Sequence, residues 1–167
     1  MIRRVAFGKA IIAGVAGAAA WEGLLRLLVL AGLPMFDLVR ILGMMLAGRG
    51  APAWEWWPVG MATHAMVGAI WAVFYAYFFW SFFDLQPALQ GIVFSLLPAI
   101  LAGSIMIPQM DLMLDGQHPP LKMFAIGLGI LGPISVLTGH LIYGLVMGSI
   151  YVRPVGYRVG YRKINYG

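Results

Sequence analysis

Three stretches of this chain, residues 59–83, 85–110 and 123–152, contain no Asp, Glu, Lys or Arg, and that property decides what the chain can fold into. An α-helix needs about 20 apolar residues to cross the ~30 Å hydrocarbon core of a bilayer. A run of that length without a polar stripe has no solvent-facing side to offer a soluble fold. A fourth run, 5–33, is broken only by Lys9, Glu22 and Arg26. With 62% hydrophobic and 10% charged residues among 167, too little polar chain remains for a separate soluble domain. The prediction is an all-α, four-span transmembrane bundle with spans at about 5–33, 58–83, 87–110 and 131–152. All of 1–167 then forms one integral membrane domain.

Within those spans a pattern recurs. His64-Ala-Met-Val-Gly68 with Tyr75 is matched by His140-Leu-Ile-Tyr-Gly144 with Tyr151, and Pro34-Met-Phe-Asp37 by Pro108-Gln-Met-Asp111. Two marks in the same order predict two parallel two-helix repeats, 5–83 and 85–152, entering the membrane from the same side and related by an axis along its normal. His, Gly and Tyr stand at i, i+4 and i+11, one stripe of a 3.6-residue helix. The repeat therefore expects His64 and His140 to face each other at matched depth, with Gly68 and Gly144 permitting close crossing. Tyr75 and Tyr151 fall near the other boundary, where aromatic belts sit.

Taken in order, the first span carries Ala10-x-x-x-Gly14 and Ala13-x-x-x-Gly17, a small-residue face for helix contact. Its start and Ala18-Ala-Ala20 have the look of a signal peptide, but the repeat needs this segment as a span. Glu22 and Arg26, at i and i+4, meet on one face. Gly32-Leu-Pro34 ends the helix. Residues 36–46 read as a short interfacial helix with Asp37 in its first turn. Trp54, Trp56 and Trp57 form a belt, and Pro58 suits the first turn of the second span. Asp115-Gly116 and His118-Pro-Pro120 are turn chemistry. Residues 123–130 approach a last span starting near Leu131, and 153–167 forms a tail on the cytoplasmic surface.

The chemistry available is limited. There is no cysteine, so thiolate metal sites, disulfides and cysteine nucleophiles are excluded. No hydrolase, nucleotide or zinc-helix motif occurs, and no catalytic residue or metal site is assigned. His64 and His140 admit several readings: imidazoles hydrogen-bonded inside a helix interface, a cofactor pair holding haem b or a quinone, ligands of another metal, or groups that handle a proton or substrate. Asp37 and Asp111 read as helix N-caps after a proline. Glu22 and Arg26, without an equivalent in the second half, read as a local ion pair or as part of a proton or ion path.

Seven of the eleven Lys and Arg flank the outermost spans, at Arg3, Arg4, Lys9, Arg153, Arg158, Arg162 and Lys163. That placement belongs to a membrane flank, not to a nucleic-acid surface, and puts both termini in the cytoplasm. With Leu33-Pro34-Met-Phe-Asp37, Thr63-His64-Ala-Met-Val-Gly68 and Val73-Phe-Tyr75-Ala read, the first 110 or so residues resemble a group of small uncharacterised bacterial four-helix membrane proteins, a domain of unknown function. The resemblance implies a bacterial inner membrane and no known activity. The expectation is a non-enzymatic structural or accessory subunit of a larger membrane complex or homo-oligomer, bounded by lipid. A haem- or quinone-associated redox subunit and a small transporter are the alternatives. Cysteines introduced at Ser81 and at Gln117 are expected to label from opposite sides of the membrane; labelling from one side would contradict four spans.

Overall fold

The computed structural model describes residues 5–33, 35–80, 85–114 and 120–152. Pro34, His118 and the tail 153–167 lie outside them. The described chain is all-α, as its composition requires. Helix α1 (Phe7–Leu30) leads to a short α2 (Leu38–Ala47). Helix α3 (Ala53–Phe74) runs on into a π-helical turn at Tyr75–Phe79. Helix α4 (Pro87–Leu101) continues through a second π turn, Ala102–Met106, into α5 (Ile107–Leu114). A 3-10 segment, Met123–Leu128, precedes α6 (Leu131–Ile150). Four stretches, Phe7–Leu30, Ala53–Phe79, Pro87–Met113 and Leu131–Ile150, are long and apolar enough to cross a membrane.

The boundaries follow local chemistry. Asp37 caps α2 by accepting from the Arg40 N–H, which supplies one of the orphan donors of a helix start. Helix α3 begins five residues before Pro58, with Pro52 at its N-cap and Glu55 in the first turn, so Pro58 lies inside the helix and Trp54–Trp57 form its opening turns. Asp111 is no N-cap. It sits within α5, and its Oδ1 accepts from the Leu121 N–H at 3.0 Å, holding the returning chain against α5. That chain is tight, with positive φ at Lys122, Phe124 and Ala125.

The spans pack in a row, with α3 against α1, α1 against α6 and α6 against α4, while α2 lies on the first turns of α3. Two of the crossings in the row use corresponding residues. A Cβ on Gly14 would overlap the Gly68 carbonyl oxygen and the Ala72 Cβ; one on Gly91 would overlap the Gly144 carbonyl oxygen and the Gly148 Cα. Reciprocally, Gly68 faces Gly14 and Ala18, and Gly144 faces Gly91 and Ser95. In lipid, where apolar surface gains nothing by leaving the bilayer, such backbone approach is what makes helices associate.

The tyrosines of the recurring pattern are not belt residues. Tyr75 and Tyr151 are buried at 1% and 4% exposure, and their rings meet edge to face at 5.9 Å. Phe79 ends the π turn that Tyr75 begins, and buried Gln90 donates to its carbonyl at 3.2 Å. The row closes here: Phe94 of α4 touches Trp71, Phe74, Tyr75 and Phe79.

Gly14→Ala and Gly91→Ala are each expected to cost toward the upper end of the ~1–3 kcal/mol typical of overpacking, because the obstacle is backbone. Val15→Leu, on a partly exposed side of α1, should be near neutral. Thermal unfolding in detergent would measure all three, and equal tolerance would mean that these crossings do not hold the bundle.

Candidate functional site

Toward the α2 end of the bundle α3 and α4 leave between them a cavity of about 320 Å³, within the ~300–1,000 Å³ usual for small-molecule sites. Its lining comes from α1, α3, α6, the α4–α5 span and the start of α2. The rim residues Val67 of α3 and Ile105 and Met106 of the second π turn are 37%, 48% and 48% exposed, so the mouth opens sideways, toward lipid. The α4 wall is irregular. Pro98 has no N–H to give the Phe94 carbonyl, and the π turn Ala102–Met106 follows one helical turn later. Such interruptions are common where a helix lines a functional site.

The floor is where the polar groups are. Trp21 of α1 stands against both histidines, its ring 4.9 Å from His64, edge-on, and 4.6 Å from His140. The small Gly139 makes room for the indole on α6. The His140 Nδ1 lies 2.7 Å from the Val136 carbonyl oxygen. A carbonyl can only accept, so Nδ1 carries the proton and Nε2 of the neutral ring is left as an acceptor. His64, 4% exposed, makes no hydrogen bond among the described residues, and both imidazoles line the cavity. Tyr143 donates its O–H to the Gly68 carbonyl at 2.7 Å and covers Gly17, tying α6 to α3 and α1.

A second polar cluster joins α1 to α2. Arg26 Nε donates to Glu22 Oε1 at 2.6 Å, while its Nη1 and Nη2 donate to the two Asp37 oxygens, each at 2.9 Å. This is the fork geometry that guanidinium supplies and ammonium does not. Glu22 is 4% exposed, and its Oε2 meets no donor among the described residues. Glu22 and Asp37 thus share one cation.

The structure therefore brings Glu22, Arg26 and Asp37 together, and separately His64 with His140. Gly68 and Gly144 sit at crossings, Tyr75 and Tyr151 in the closed end, and Asp111 in neither site. Trp21 and Tyr143 join the site without having been marked by the sequence pattern. Tyr143 had a signal, since its counterpart in the first copy is Val67, a polar departure beside the shared glycine. Among the described residues no group of three or more His, Asp or Glu is placed to hold a metal ion.

Comparison of this chain with protein-family models, with curated proteins and with solved structures gave no match.

Arg26→Met would leave two carboxylates without their cation. Breaking a fully buried pair costs ~3–5 kcal/mol, but a third of the Arg26 side chain is exposed and screening lowers this to about 2. Combining Arg26→Met with Glu22→Gln should recover part of the loss in a thermal unfolding series. An additive double variant would mean that the two groups do not interact.

Proposed function

We propose that this protein is a non-enzymatic, multi-pass protein of a bacterial inner membrane, with both termini cytoplasmic, that receives a lipophilic molecule from the bilayer into the cavity between α3 and α4. On this reading its chain is two copies of one two-helix unit. The matching Gly14–Gly68 and Gly91–Gly144 crossings support that history, and the basic residues beyond the outermost spans support the orientation.

The observation that carries the reading is the lateral mouth of an apolar cavity whose few polar groups converge on its floor. A subunit that only fills space between partners has no use for such a hollow. The walls of an apolar hollow gain dispersion contacts from whatever apolar molecule fills it, which favours an occupant from the surrounding lipid. The same bundle suits an accessory subunit that presents its occupant to a larger assembly. The Glu22–Arg26–Asp37 cluster, which spans the turn between α1 and α2, serves here as a clasp and not as a transport path.

Native mass spectrometry of the protein released from nanodiscs tests this. The wild type is expected to carry one small lipophilic adduct per chain, and Ala102→Trp, which places an indole in the cavity, is expected to lose it while remaining monodisperse. An adduct-free wild type, or an adduct retained by Ala102→Trp, would overturn the proposal.

A further inference from the structure

The geometry points to a quinone-type ring as the occupant, a flat apolar ring bearing oxygens that accept a hydrogen bond as carbonyls and donate one as hydroxyls, seated against His64 and His140. The inference rests on the lipophile reading of the cavity and specifies its ligand.

The floor of the cavity holds unspent hydrogen-bonding capacity. Of the polar side chains on the floor, Tyr143 has given its proton to Gly68 and His140 has given its Nδ1 proton to Val136. What His140 still offers is an acceptor, Nε2. His64 has spent nothing among the described residues, so its neutral ring offers one donor and one acceptor. Buried polar groups without partners are costly, and in lipid no water is at hand to serve them. The complement to this floor is a ligand that accepts from the His64 N–H and that, in its protonated form, donates to His140 Nε2. A saturated acyl chain satisfies neither group.

Shape points the same way. The floor and the adjoining wall carry the flat side chains of Trp21, Trp71 and the two imidazoles. Aromatic surfaces of this kind favour a planar partner in offset or edge-on contact. The remaining walls, from Leu101 to Ile107, are aliphatic and end in the exposed rim at Ile105 and Met106. A ring could lie on the floor while its alkyl tail passes out between α3 and α4 into lipid. The proposal is one of binding; no electron transfer is assigned to the protein.

The test uses the full chain in nanodiscs, with decylubiquinone as probe and binding corrected for partition into empty discs. The expected result is saturable binding of one decylubiquinone per chain, weakened about tenfold in His64→Phe, which keeps ring volume but removes both nitrogens, and in His140→Phe. His64→Asn, which returns a donor, should recover most of the affinity. Neither decylbenzene, a ring without oxygens, nor decanol, a hydroxyl without the ring, should compete. If either competes as well as unlabelled quinone and both Phe variants bind like wild type, the quinone assignment is overturned while the lipophile receptacle stands. If no probe binds saturably and wild type carries no adduct, both fall. Monodisperse elution of each variant separates loss of binding from loss of fold.

Discussion

The bundle depends on backbone meeting backbone. Membrane helices gain nothing by hiding leucine from lipid, so α1 and α3, and α4 and α6, are held by approaches that only glycine permits, Gly14 on Gly68 and Gly91 on Gly144, while Gly17 lets Tyr143 of α6 close on α1. These contacts fix the row of spans and the features set between its helices. Tyr143 reaches Gly68 because α1 stands close enough to both α3 and α6. Trp21 reaches both histidines because α1 lies between the helices that carry them. The cavity exists because the row is sealed by Phe94 at one end and left apart at the other.

Against that frame the two polar clusters divide the work. The Arg26 fork binds the end of α1 to the cap of α2, and Asp37 does two things with one carboxylate, accepting the Arg40 N–H and the guanidinium together. The histidines, by contrast, are held by an aromatic surface and by a single carbonyl. The first cluster is closed within the protein except at Glu22 Oε2, which is buried without a donor among the described residues. The second lines the cavity, and His64, 4% exposed, makes no hydrogen bond among the described residues.

Much of the architecture was legible in the sequence. Uncharged runs give spans because a bilayer leaves the backbone no alternative to the helix. The His–Gly–Tyr spacing placed one face of α3 and one of α6 inward. What could not be read was whatever depends on how helices cross. Nothing local says that Asp37 returns to Arg26, eleven residues back along the chain, or that α3 and α4 part company to leave a cavity. Pro58 misled because its preference for a first turn is shared by Pro52, which with Glu55 behind it opens the helix earlier. Asp111 misled because the motif it shares with Asp37 describes sequence, whereas its carboxylate answers to the chain returning at Leu121. The tyrosines misled because their place near a span end suggests a belt, whereas they lie on the inward stripe and are buried.

The interrupted α4 wall carries a consequence for traffic. Trp21, Tyr143 and the glycine crossings fasten the floor to three helices at once, whereas Pro98 and the second π turn weaken the hydrogen-bond ladder on the opposite side. Any change of cavity shape would then come from one wall, swinging against a fixed face. The mouth is confined to the half of the bundle nearer α2, so on the proposed reading an occupant would enter and leave at one depth of the bilayer and not along the whole length of the spans.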